Sequence, residues 1–316
     1  MADSDSHSLS SSQHNTPITT DLKPILLRPS GNSTSNRVYD EGVGNPLIIC
    51  FHGSGEARWP SWDNLVTKLI AETHCRVLLY TRAPGNLLAA DVAAQMWDYL
   101  RGATNQRSEN KNTQDKGGRQ GERDLSGPYL LIAHSYGGAF ARAFVQHELL
   151  LPRSQRNRGS ANRVLGLVLV ETGQEGGLDP KIDELQIHRT IMGSRPVYVI
   201  RGNTLLRKWQ VLEEKERALN SLEAEADEIA TRRQLLTTER DMLVQIDTED
   251  ERLKRRQLGL SKKSQFVHLP NCGHHVIRDR PDDVVTAVKW VLENTEEGRT
   301  ALLERVLERF KQFRLR

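Results

Sequence analysis

The feature that most constrains this chain is an alternation of short, almost uninterrupted apolar runs with stretches of helical periodicity. The runs are PLIICF (46–51), RVLLYT (76–81), YLLIAH (129–134), VLGLVLVE (164–171), PVYVI (196–200) and QFVHL (265–269). A strand that is apolar at every position, not at every second one, must be covered on both faces, as parallel strands are. Between the runs, Trp62 to Thr73 places Leu65, Leu69 and Ile70 on one helical face, and 87–102, 137–149 and 281–293 also read as amphipathic helices. The pattern predicts an α/β fold: a mostly parallel, doubly wound sheet with helices on both sides. PILLRPS (24–30) and NRVYDEG (36–42) read as two short strands around a Gly-Asn-Ser turn ahead of this series.

Polar segments interrupt the series. Residues 1–20 offer almost nothing to bury and are predicted to be a disordered tail, leaving 21–316 as the domain. A polar loop insertion is expected at 104–127, centred on SENKNTQDKGGRQGERD (108–124), which has no apolar residue. RSQRNRGSANR (153–163) reads as a short, basic, solvated loop. A longer, helix-forming insertion occupies about 205–258, before the last strand. From 205 to 243 it has no Gly or Pro, and Leu205, Leu212, Leu219 and Ala226 fall on one heptad position, with Leu222, Ile229, Leu236 and Leu243 on its partner. That is a coiled-coil seam broken by Lys208, Lys215, Arg233 and Arg240. One helix of this length would reach on the order of 60 Å, with DTEDERLKRRQLGL a candidate to fold back as a second. Two readings stand side by side: a surface helix packed on the domain, and a projecting arm for self-association through 205–243.

Composition removes several classes. The net charge of +3 and the lack of an aromatic-rich basic motif argue against nucleic acid as a partner. Cys50, Cys75 and Cys272 lie far apart without metal-ligand spacing and read as buried thiols, which suits a reducing, cytoplasmic location. The first residues lack the apolar core of a signal peptide, and no apolar stretch is long enough to cross a bilayer. ALLERVLERFKQFRLR at the C-terminus forms a basic amphipathic pattern with Leu302, Val306, Phe310 and Phe313 on one side, expected to pack on the domain.

Three segments carry chemistry. Ala133-His134-Ser135-Tyr136-Gly137-Gly138 follows a strand and opens a helix, the setting of a nucleophile elbow. Small residues flank the serine at Ala133 and Gly137, and its hydroxyl lies at a helix N-terminus, where a developing anion is favoured. His52-Gly53-Ser54-Gly55 ends an earlier strand. An oxyanion hole needs two converging backbone N–H groups, one from Tyr136 and one from Gly53 or Ser54, with His52 orienting the turn. Asn271-Cys272-Gly273-His274-His275 follows the last strand, where a base able to reach the serine belongs; His274 is assigned that role and His275 a packing role.

With HGSG (52–55), RAPG (82–85), AHSYGG (133–138), LVLVE (167–171) and CGHHVIRDRP (272–281) in this order, the chain resembles the α/β-hydrolase superfamily, the esterase, lipase and thioesterase group, over about residues 46–293. The resemblance implies a serine hydrolase that cleaves an ester or thioester of a small acyl substrate, with neither metal nor organic cofactor. RAPG resembles the loop that lines such pockets. The family usually places an Asp shortly after the strand that here is PVYVI, but this chain continues Arg201-Gly202-Asn203-Thr204. Some members carry the acid at the end of the preceding strand, which here is Glu171, with Glu175 in reserve. The contrary reading is that Glu171 merely caps a loop and a dyad remains. Only 172–195 separate LVLVE from the next strand, too little for the family's helical cap. Two other readings stay open: a non-catalytic interaction protein that uses its coiled-coil arm, and a carbon–carbon bond hydrolase with the same triad.

Overall fold

The computed structural model describes residues 24–26, 46–53, 61–80, 88–110, 127–150, 163–173, 177–222 and 225–296. Among the described residues, seven strands form one sheet: β1 (Pro24–Leu26), β2 (Leu47–Phe51), β3 (Arg76–Tyr80), β4 (Tyr129–His134), β5 (Val164–Val170), β6 (Val197–Arg201) and β7 (Ser264–His268). Their order across the sheet is β1-β3-β2-β4-β5-β6-β7. β1 runs antiparallel to β3, and every other pairing is parallel.

The continuous apolar runs are explained by two cores, one on each face. Ile49, Phe51, Leu131, Ala133, Leu167 and Leu169 point to one side. There they meet α2 (Ala89–Asn110) and α3 (Gly137–Leu150) through Trp97 and Phe144, whose rings stack at 4.4 Å. Ile48, Cys50, Leu130, Ile132, Val168 and Val170 point to the other, against Leu65 and Leu69 of α1 (Asp63–Thr73) and Val284, Val288 and Val291 of α8 (Pro281–Asn294). Strand periodicity of two assigns neighbouring residues to opposite faces, so a strand buried on both sides must be apolar throughout. Cys50, Cys75 and Cys272 are all buried, and burial pushes the Cys50 and Cys75 thiols up.

Between β5 and β6 lies one helix, α4 (Pro180–His188). Asp179 caps it by accepting from the Lys181 and Ile182 N–H groups, and Pro180 occupies its first turn. Between β6 and β7 come α5 (Leu206–Asn220), α6 (Ala226–Arg256) and a 3-10 turn (Gln257–Leu260). After β7 follow α7 (Val276–Asp279) and α8 (Pro281–Asn294).

The insertion departs from the expected single helix over 205–243. The chain reverses after Asn220, and α6 starts at Ala226, so the fold-back comes some twenty residues earlier than expected. The reason is visible in the packing. Leu205, Leu212 and Leu243 are buried together with Trp209 and Leu236 against them, so the two helices cover part of the heptad pattern within one chain, while Leu222 and Ala226 stay exposed. Lys215 pairs with Glu239 at 2.8 Å and Arg240 with Glu216 at 2.6 Å, placing two of the charges that interrupt the seam in cross-hairpin ion pairs. A second difference concerns the polar loop expected at 104–127, because α2 continues as helix through Asn110. The tail at 1–20, the strand at 36–42, the loop residues 111–124, the RAPG segment, residues 153–162, Ser54, Gly55, Glu175 and the C-terminal pattern lie outside the described residues. Among the described residues, no helix is long and apolar enough to cross a membrane.

Candidate active site

The chain leaves β2 to one side to form β3 and then returns to the other side to form β4. The crevice at the strand C-termini where this reversal occurs is where open α/β sheets bind ligands. His52 and Gly53 follow β2 there, and Ser135 follows β4. Phe51 pairs with Ala133 and His134 with Val170, so these ends are level with one another and with the end of β5.

Ser135 has φ of 52° and Glu171 φ of 53°, left-handed values that side-chain-bearing residues rarely adopt. Each still donates its backbone N–H to the next strand, Ser135 to Val170 O at 3.0 Å and Glu171 to Ile200 O at 2.9 Å. The ladder is therefore complete up to each bend, and the bend then turns the chain off the sheet. At Ser135 the turn opens α3, with Gly138 N–H donating back to Ser135 O at 2.9 Å. Gly137 permits this approach: a Cβ there would sit 2.0 Å from Phe51 O. Gly138 does the same against Thr172, where a Cβ would lie 2.7 Å from that residue's own Cβ. The start of α3 thus presses on the end of β2, next to Gly53, and on the segment that follows Glu171. His52 is buried, and its Nδ1 donates to Gly53 O at 3.0 Å.

Glu171 is buried and, among the described residues, faces three hydrogen-bond donors and one ion-pair partner. Gly202 N–H (2.6 Å) and the Lys254 ammonium (3.4 Å) face Oε1, while the Thr204 hydroxyl (2.5 Å) and His274 Nδ1 (3.1 Å) face Oε2. Burial alone would push its carboxyl up; the His274 hydrogen bond, the Lys254 charge and the Thr204 hydroxyl bring it down to about 2. With Nδ1–H given to the carboxylate, His274 keeps Nε2 as its accepting nitrogen. Of the two adjacent histidines, His274 is the one that reaches Glu171. His134, fully buried, donates from Nε2 to His274 O at 2.8 Å and ties the histidine loop to the residue before Ser135. The loops after β6 and β7 meet at the same end, with Asn203 N–H donating to Cys272 O at 2.6 Å.

The model of the Alpha/beta hydrolase family matches residues 48–287. The chain belongs to the alpha/beta hydrolase family. A search of the curated proteins returns no match. Among solved structures, the fold is similar to a predicted CIB-like hydrolase from Thermoplasma acidophilum (12% identity, 86% of this chain, 98% of that one, TM-score 0.42). It is also similar to a thermophilic esterase from Thermogutta terrifontis (16%, 87%, 100%, 0.40) and to Est1E from Butyrivibrio proteoclasticus (12%, 81%, 90%, 0.38).

The loop after β6 has no carboxylate, yet Gly202 and Thr204 within it donate to the carboxylate that arrives from β5. Sequence reasoning named Glu171 but missed Thr204, His134 and Lys254. Thr204 and His134 adjoin recognised motifs and could have been asked for as partners of Glu171 and His274. Lys254 carries no local signal, because it belongs to a helix whose charge pattern reads as solvent-exposed.

Proposed function

We propose that this alpha/beta hydrolase is a serine hydrolase that cleaves an ester or thioester through Ser135, His274 and Glu171. The observation that carries the proposal is the Glu171–His274 contact at 3.1 Å, held beside the strained Ser135 turn at the strand-order reversal. In this reading His274 Nε2 takes the proton of Ser135 Oγ as that oxygen attacks the carbonyl carbon. The C–O double bond opens to an oxyanion, stabilised by the N–H groups of Tyr136 and of the turn at Gly53 and Ser54. Collapse expels the alcohol or thiol, which receives the proton from His274 and leaves an acyl-Ser135. His274 then draws a proton from water, whose oxygen attacks the acyl carbon, and returns it to Ser135 Oγ. Glu171 stays ionised, holds the Nδ1–H tautomer and stabilises the imidazolium formed in both halves.

The test is covalent labelling of the purified protein by a fluorophosphonate, beside Ser135→Ala and Glu171→Gln. The expected outcome is labelling of wild type, none of Ser135→Ala, and labelling of Glu171→Gln slower by about 100-fold or more, as for loss of the orienting acid in a triad. Absence of labelling in folded wild-type protein would remove this reading.

A further inference from the structure

We infer that Lys254, supplied by the helical insertion, is a positioning residue for the candidate catalytic acid. Its ammonium fixes the Glu171 carboxylate toward His274, and its charge opposes protonation of that imidazole. This rests on the Ser135–His274–Glu171 reading above.

Lysines near a surface normally bury their stem and keep the head in water. Lys254 does not: the side chain is 1% exposed and the ammonium lies among carboxylates, 3.4 Å from Glu171 Oε1 and hydrogen-bonded to Asp250 Oδ1. Burying an ammonium is costly unless partners compensate it, and here both are buried anions. The second oxygen of Asp250 accepts from Arg201 Nε at 2.9 Å, so Glu171, Lys254, Asp250 and Arg201 alternate in sign through the interior. Arg201 is also 1% exposed and is held further by Asp247 (2.5 Å), Glu251 (3.2 Å) and His268 Nε2 (3.1 Å). The charged groups facing Lys254 are then Asp250 on its own helix and Glu171 at the end of β5. Arg201 of β6 and His268 of β7 stand behind Asp250, and His274 stands behind Glu171. Asp183 of α4 is engaged elsewhere, by Arg142 at 2.5 Å and Arg256 at 2.8 Å.

A second contact from the same stretch supports the role. Gln257, at the end of α6, accepts from the Thr172 hydroxyl at 2.7 Å and donates to Thr172 O at 2.8 Å. The insertion therefore grips both the carboxylate of Glu171 and the residue that follows it. An acid placed on a left-handed bend needs such support, because its backbone is not held by strand geometry beyond that point. Lys254 and Gly202 load Oε1, which leaves Oε2 directed to His274 and Thr204.

The test measures the rate of fluorophosphonate labelling from pH 5 to 9 on the full chain, for wild type, Lys254→Met and Asp250→Asn, with folding checked by circular dichroism. Removing the lysine charge favours the protonated imidazole, so the acid limb of Lys254→Met is expected about half a pH unit or more higher. Its labelling at pH 7 is expected to slow by about 10-fold as the carboxylate loses its hold. Asp250→Asn keeps the lysine but removes the anion behind it, and its acid limb is expected to move the opposite way. A lysine that only packs would slow labelling without moving either limb, and that result overturns the inference. Where Lys254→Met fails to fold, an unmoved limb in Asp250→Asn overturns it, and a limb moved to lower pH supports it. Failure of wild type to label removes the triad reading itself and this inference with it; a labelled wild type with unmoved limbs removes only the role of Lys254.

Discussion

The bends at Ser135 and Glu171 sit at the ends of neighbouring parallel strands with almost the same backbone angle, and they are held in opposite ways. Ser135 is held by backbone packing close to the sheet. Gly137 lies against Phe51 O, Gly138 against Thr172, and α3 begins at once. Glu171 is held by side chains from distant parts of the chain: Thr204, His274, Lys254, and Gln257 through Thr172. The Ser135 side is fixed because small residues let two segments approach. The acid side is fixed because charges and hydrogen bonds saturate one carboxylate. A steric arrangement fails when an atom is added, whereas an electrostatic one fails when a proton is.

Gly137→Ala breaks the Ser135 side. The added Cβ would lie 2.0 Å from a backbone carbonyl that belongs to a central strand and cannot turn aside. We expect a loss of roughly 4 kcal/mol or more, near the upper end for overpacking, read from urea denaturation. A loss under about 1 kcal/mol would show that α3 can slide away from β2 and that this side is not sterically fixed.

The acid side is sharpened by pH. Glu171 has a carboxyl brought to about 2 in the folded protein, below its ordinary value of 4.5. The stabilisation this represents is present above pH 4.5, and it is lost as pH falls from there through about 2. The shift corresponds to about 3 kcal/mol. Denaturation measured between pH 7 and 2 should therefore show wild type losing about 3 kcal/mol more than Glu171→Gln, which has no proton to take up at this site. Parallel curves for the two proteins would mean that the carboxylate is not held as its three hydrogen bonds and the Lys254 ion pair suggest.

The same contrast explains what could be read from the chain alone. The alternation of apolar runs and helices follows from local periodicity, and the observed strands fall where those runs predict them. The Ser135 turn was legible because its flanking Ala133 and Gly137 are sequence neighbours. Glu171 was legible as a candidate acid only through a family resemblance, and its supports were not. Lys254 is surrounded in sequence by Arg252, Arg255 and Arg256, each paired with an acidic residue nearer the surface, so nothing local distinguishes the buried lysine. Of the heptad pattern in the insertion, Leu205, Leu212, Leu236 and Leu243 pack together, whereas Leu222 and Ala226 are exposed. A stripe in the sequence does not say whether it is covered by a second chain or by its own return helix.

The insertion itself divides along the same line, and the smallest effect is expected at its far end. Near the sheet, α6 delivers buried charges to Glu171 and Arg201. Toward the tip, Arg240 and Glu216 pair at 2.6 Å with side chains 46% and 31% exposed, in water-screened surroundings where an ion pair contributes little. Arg240→Ala should therefore cost less than about 1 kcal/mol, should lose that effect in high salt, and should leave fluorophosphonate labelling unchanged. Slower labelling in Arg240→Ala would mean that the hairpin transmits strain from tip to base, so that its charges act as one unit with Lys254. An unchanged rate would confine the coupling to the last turns of α6, where the helix meets the carboxylate.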